Sequence, residues 1–267
     1  MRTYEEKIAD IMNLRLIDDV FFEAFAANKK AVQEILRVIL EDDGLEVLEV
    51  VTQGDEHNIY GRSVRLDALC TLGNGTKCNI EVQRSDNDDH ARRARYNGSM
   101  ITVKESEPGI MFKDVTNVLI VYISETDIFK GGKTIYHVEK RLRETGALFD
   151  DGFNEVFVNT AVNDGSRIAD LMSCFTKKEL NDEQFPETTA EVQRLKTTEG
   201  GLSAMCEVME RYVTEARAEG KAEGKTEGEA RLSALIQKLI EARSYDDIAK
   251  ATSDKTERER LYKEFGL

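Results

Sequence analysis

Two β-rich runs, 63–72 and 77–83, are separated by the turn Gly73-Asn74-Gly75, and this spacing limits the possible folds more than any other feature. A three-residue hairpin loop ending in glycine suits a left-handed residue at that position and pairs Leu72 with Thr76. Counting back along both runs sets Asp67 opposite Glu81 and Arg65 opposite Gln83. A two-residue loop would turn Asp67 to the wrong side, because a slip of one residue exchanges the faces of a strand. The three-residue register therefore predicts that the two carboxylates converge, with Asn79 and Gln83 on the face of Glu81.

Like charges directly opposed on a strand pair repel and weaken the sheet. A hard divalent cation relieves that. Magnesium needs only one or two carboxylates, keeps several waters and takes oxygens from a phosphate. It then polarises phosphorus–oxygen bonds and lowers the pKa of a water nucleophile. Gln83 would reach the same site and orient that water without carrying its proton. Arg65, Arg84 or Arg93 could neutralise phosphate charge. The run Arg92-Arg93-Ala94-Arg95 is the densest basic cluster of the chain and follows the acidic pair directly. It predicts phosphate contact by at least one of these arginines.

The remaining patterns frame the hairpin. Residues 18–40 read as one helix, with Phe21, Phe22 and Phe25 leading into Val32, Ile35, Leu36 and Ile39 at helical spacing. Residues 45–51 read as a first strand and 89–104 as a helix. The nearly continuous apolar run at 117–124 suits a central strand covered on both faces. Residues 153–159 alternate as a strand, and 166–175 suit a short helix. Helix, three strands, helix and buried strand predict a mixed α/β sheet with helices on both faces. No GxGxxG motif follows a strand, which argues against a dinucleotide-binding fold. Gly98 predicts close approach of its helix to the sheet. Tyr96 reads as a core aromatic or one behind the site, and His90 as structural or exposed. Cys70 and Cys78 read as core residues of the hairpin.

Three regions follow from composition: a domain at 1–185, a helical linker at 186–229, and a small helical module at 230–267. The linker carries an apolar stripe (Leu202, Met205, Val208, Met209, Tyr212, Val213) and then a Glu-Gly-Lys repeat of period four. Like charges stack at i,i+4 in such a helix, and each glycine costs roughly 1 kcal/mol, so the segment is either a flexible linker or a helix with a second helix packed on its glycines, the latter favoured because the preceding stripe needs a partner. Self-association through 202–228 is the expectation. Ser244 reads as the cap of a helix in the last module.

With 37 basic and 51 acidic residues the net charge is -14, so nucleic acid would need a local basic face. No apolar run approaches the roughly 18 residues of a membrane span. Residues 1–10 are charged and lack the apolar core of a signal peptide. Four cysteines without a CxxC pair and three scattered histidines argue against zinc and for reduced thiols in a cytoplasmic protein.

Asp67, then Glu81-Val82-Gln83, then Arg93 to Tyr96 on the following helix resemble the PD-(D/E)XK nuclease superfamily. The branch most similar is the transposase-like one, the Rpn recombination-promoting nucleases. It is similar also in Asp19-Val20-Phe21-Phe22, in Asn79-Ile80-Glu81-Val82-Gln83 and in the Glu-Gly-Lys-rich C-terminal region. The resemblance spans roughly 13–175, with a weaker echo from 215 onward. It implies an α/β restriction-endonuclease-like core (helix, three-strand meander, helix, strand) with an α-helical C-terminal extension. It further implies magnesium, or manganese in its place, and DNA phosphodiester cleavage associated with recombination or transposition in the bacterial cytoplasm.

Carried over by residue, the resemblance makes Asp67 and Glu81 metal ligands, with Asp19, or alternatively Glu23, completing the site. Gln83 stands among the catalytic residues where most of the superfamily has lysine. Arg65, Arg84, Arg92, Arg93 and Arg95 are the candidate DNA contacts. Glutamine lacks the positive charge of lysine, although some of the superfamily carries it. Leu66 stands in place of proline. The alternative expectation is a catalytically weak or inactive relative that binds DNA or a protein partner.

Overall fold

The hairpin closes as its turn chemistry requires. Strands β2 (Val64–Leu72) and β3 (Lys77–Gln83) are antiparallel, with Leu69 opposite Asn79, Cys70 opposite Cys78 and Thr71 opposite Lys77. This is the register expected from a three-residue loop. Gly75 adopts φ +85°, where a Cβ would be strained, and its N–H donates to Leu72 O at 2.8 Å. The Asn74 side chain accepts from Thr76 N–H at 3.0 Å. The computed structural model describes residues 3–56, 64–84 and 89–267.

Around the hairpin lies a six-stranded mixed sheet in the order β1-β2-β3-β4-β6-β5. Strand β1 (Val47–Glu56) is antiparallel to β2. Strands β4 (Val118–Ser124) and β6 (Phe153–Asn159) run parallel to β3, and β5 (Ile135–Val138) closes the edge antiparallel to β6. Parallel neighbours need a crossover, and α4 (His90–Lys104) lies between β3 and β4 in the chain. Strand β4 is buried on both faces, as its continuous apolar run predicts. Val121 and Ile123 join a core shared with α2 (Asp19–Ala26), α3 (Lys29–Ile39), α5 (Arg167–Phe175) and α6 (Pro186–Thr197). Ile120 and Tyr122 join a second cluster with Ala94 and Ile101 of α4. The expected mixed α/β sheet with helices on both faces is the observed architecture.

Gly98 lies where α4 presses on β6. A methyl group there would overlap the ring of Phe153, so glycine sets how closely the helix approaches the sheet, as expected.

Several elements differ from the sequence reading. The single helix expected over 18–40 is two, because Asn28 stops one and starts the next. Its side chain accepts from the N–H groups of Lys30 and Ala31 as the N-cap of α3, and its Nδ2 donates to Glu191 at 2.7 Å. A helix α1 (Tyr4–Asn13) opens the described chain, with Thr3 and Glu6 forming a reciprocal capping box. Tyr96 is 36% exposed and belongs to no core.

The chain divides into two compact units, Met1–Met209 and Glu210–Leu267. Helix α7 (Glu199–Glu241) is continuous through the division, and the Glu-Gly-Lys repeat is helical within it. Met205 is buried in the first unit's core, with Leu202, Cys206, Val208 and Met209 packed against it. The second unit has its own small core, where Leu235 and Leu239 of α7 meet Ala251 of α8 (Tyr245–Ser253) and Leu261 and Tyr262 of α9 (Lys255–Glu264). Ser244 occupies the N-cap of α8, but its hydroxyl makes no capping bond. Among the described residues, no helix is long and apolar enough to cross a membrane.

Candidate active site

The β2–β3 ladder runs to the pair Ala68 and Ile80. One step further along the same register stand Asp67 and Glu81. There the Asp67 side chain takes over from the ladder: its Oδ2 accepts the main-chain N–H of Val82 at 2.9 Å. Asp67 is half-buried and Glu81 fully buried. The charge of Glu81 acts on Asp67.

A buried carboxylate needs donors, and Glu81 has four N–H contacts. Arg93 of α4 gives Nε and Nη2 to Oε1, at 3.0 and 2.8 Å. Asn97, one helical turn later, gives Nδ2 to Oε2 at 3.1 Å, and Asn79 gives its own at 3.3 Å. Arg93 and Asn97 meet the same carboxylate because residues four apart share a helix face. Asn79 Oδ1 is buried without a hydrogen-bond partner among the described residues. Sequence reasoning put Asn79 on the face of Glu81 but missed its contact, and it missed Asn97 altogether. The available signal was an Arg-x-x-x-Asn spacing on a helix that follows a buried acid.

Burial holds the Asp67 carboxyl well above the usual carboxylate range, and the charges of Glu81 and Asp19 push it further up. The Val82 N–H and the Arg93 guanidinium pull the other way. Glu81 is also raised by burial, against the charge and hydrogen bonds of Arg93 and the Asn79 amide. Asp19, the first residue of α2, is raised by desolvation, and its charge acts on both hairpin acids. The charges of these acids thus oppose one another, while the Arg93 guanidinium favours the charged form of all three and Arg84 adds to it at Asp19. Glu23 is buried in α2.

Gln83 ends β3, paired with Ser124 of β4, and is half-buried. Arg84 follows it and is held by acids: Nη1 lies 2.6 Å from Asp18 Oδ1, and Nε lies 3.4 Å from Glu125 Oε2. Arg15 joins the same cluster through Glu125 at 3.1 Å. Arg92 is exposed and approaches Asp89 at 3.3 Å. Arg95 is exposed too, and its charge acts on Glu155. Arg65 lies opposite Asp55 in the β1–β2 ladder, and its side chain lies outside the described residues. Behind Arg93, the Tyr122 hydroxyl lies 2.9 Å from Nδ1 of His90, and both residues are buried. His90 is therefore buried rather than exposed, with a partner that only the fold supplies.

The donor set suits a hard divalent cation. Asp67 Oδ1 takes no hydrogen bond among the described residues, and added positive charge would relieve the three-way repulsion. Among the described residues, no three His, Cys, Asp or Glu side chains gather closely enough to hold an ion by themselves. Magnesium asks only one or two carboxylates of a protein; both oxygens of Glu81 are held by N–H donors, and among the described residues Asp67 Oδ1 is left without one.

A mixed sheet whose central hairpin carries two converging acids, backed by an arginine-bearing helix, has the architecture of a PD-(D/E)XK nuclease-like protein. The family model described as PD-(D/E)XK nuclease family transposase matches residues 16–166, more than half of the chain, and the chain belongs to that family. Nucleases of this superfamily generally use divalent metals. No curated protein and no solved structure matches the chain.

Proposed function

We propose that this chain is a magnesium-dependent DNA endonuclease that hydrolyses phosphodiester bonds during recombination or transposition. The observation that carries the reading is the register that sets Asp67 across from Glu81 at the end of one hairpin, with the charge of Glu81 acting on Asp67 and Arg93 bound to Glu81. A bound magnesium or manganese ion would supply charge for the phosphate oxygens and an acidified water. The chain's own residues do the rest. Asp67 and Glu81 would hold the ion, with Asp19 adding negative charge beside them. The Gln83 amide orients the attacking water through its carbonyl oxygen and leaves the proton to solvent. Arg92 and Arg95, exposed on α4, grip flanking phosphates and offset the overall charge of -14 locally. Cys70 and Cys78 stand opposite each other as free thiols, which suits the bacterial cytoplasm.

The test is plasmid cleavage by the full chain. Nicking or linearisation is expected with Mg²⁺ or Mn²⁺ and not with EDTA. Asp67→Ala and Glu81→Ala should each abolish it while the thermal transition remains cooperative. Metal-dependent cleavage that survives both substitutions ends the proposal.

A second reading rests on two observations: Glu81 is already saturated by nitrogen donors, and glutamine stands where lysine is usual. On this reading the chain binds DNA and does not turn it over. Steeply salt-dependent binding without any product on a gel would favour it.

The reading includes self-association along α7. The stripe up to Met209 is used inside the first unit, so the surface offered to a second copy runs from the half-exposed Val213 to Gly220, Gly224 and Gly228, all three glycines being exposed. A chain ending at Arg217 keeps Met205 and Met209 in place. It should sediment as a monomer where the full chain sediments as an oligomer. Equal masses would remove this part of the proposal.

A further inference from the structure

The two oxygens of Glu81 are held by partners of different kinds. Oε2 is held by Asn79 and Asn97, neutral amides that are 0% and 4% exposed. Packing fixes both, and neither can leave without opening the core. Among the described residues, Oε1 is held by Arg93 alone, through Nε and Nη2. The Arg93 side chain is 35% exposed, and its long stem can swing outward from α4. One oxygen is therefore permanently anchored and the other is exchangeable.

A divalent cation on Oε1 and a guanidinium on Oε1 exclude each other, since both are positive and both need the same lone pairs. A guanidinium displaced from a carboxylate has an alternative partner in a phosphate, whose oxygens accept N–H bonds from the same two nitrogens. That partner arrives with the DNA. Resting on the endonuclease reading above, we propose that Arg93 is an exchangeable counterion. It neutralises Glu81 when the site is empty and transfers to the substrate phosphate when a divalent ion takes its place, which makes metal binding and DNA binding mutually reinforcing. Asn79 and Asn97 keep the Glu81 carboxylate aimed while its second oxygen changes partner. Arg93 is in this sense a positioning residue with two sequential partners.

Linkage makes the idea measurable without turnover, because a coupling between two ligands appears in the affinity of each. Mn²⁺ affinity would be measured by calorimetry and electron paramagnetic resonance on the full chain, alone and with a duplex of non-cleavable phosphorothioate DNA. For the unmodified chain, the duplex should tighten Mn²⁺ binding by about tenfold, a typical allosteric factor. In Arg93→Gln, Mn²⁺ should bind more tightly without DNA, and the duplex should add little. Arg93→Lys keeps the charge but not the fork, and should retain competition for Glu81 with a weakened response to DNA. It also serves as the readout if the glutamine variant fails to melt cooperatively. Equal Mn²⁺ affinities and an equal DNA effect in all three chains would overturn the exchange while leaving the nuclease reading intact. No Mn²⁺ binding by the unmodified chain, with or without DNA, would overturn both.

Discussion

The Asp67 carboxylate accepts the main-chain N–H of Val82 at 2.9 Å, where β2 and β3 have stopped pairing. A side chain thus takes over a bond that a ladder would make, and it holds an acid beside Glu81 at some cost to stability. Asparagine can accept the same N–H without the charge. Asp67→Asn is therefore expected to raise stability by about 1 kcal/mol at neutral pH, the usual exchange of function for stability at such sites, and to abolish cleavage. Chemical denaturation measures the first effect and plasmid nicking the second. A destabilised variant would contradict the strain inferred at this site.

The same acids set a pH dependence. Asp67, Glu81 and Asp19 titrate higher in the folded chain than their ordinary values. Raised carboxyl groups favour folding while protonated, so their contribution is complete below the ordinary carboxylate range and is lost as pH rises through the raised values. Exposed acids with lowered values, such as Asp151 and Asp164, act in the opposite direction. The difference between the chain and Asp67→Asn isolates the site. In EDTA, the advantage of the asparagine variant should grow from pH 4 upward, as checked by melting temperature across a pH series. Excess magnesium should shrink that advantage by stabilising the unmodified chain alone.

Gly98 carries a packing prediction that does not depend on chemistry. Alanine there must push α4 away from Phe153. Overpacking of this kind costs typically about 1–3 kcal/mol. Because α4 also carries Arg93 and Asn97, Gly98→Ala should lower both the melting temperature and the cleavage rate. Phe153→Leu should restore part of the stability by making room.

The arginines differ in what they are free to do. Arg92 is 77% exposed, whereas Arg84 is held by Asp18 and Glu125. Arg92→Gln should weaken DNA binding across sequences and lower the slope of log affinity against log salt by about 1. Arg84→Gln should change that slope less and cost folding stability instead, since it leaves the buried Asp18 short of a partner. Fluorescence anisotropy at several salt concentrations separates the two.

The sequence by itself determined the hairpin and its register, which sets Asp67 across from Glu81, because a three-residue turn and a period of two fix which residues face each other. It also determined β4, whose unbroken apolar run has to lie between two covered faces. It missed the break at Asn28, although an asparagine before two lysines is a readable cap, and it missed the short edge strand β5, whose half-exposed residues carry no clear period. Only the tertiary structure decided which arginine serves the site. Arg92, Arg93 and Arg95 look alike in sequence, and the docking of α4 on the sheet turns Arg93 alone of the three onto Glu81, with Asn97 a turn beyond it. Only the fold, likewise, brought Asp18 and Glu125 to Arg84 and Tyr122 to His90. Local periodicity encodes which face a residue occupies; what stands across from that face depends on contacts between segments far apart in the chain.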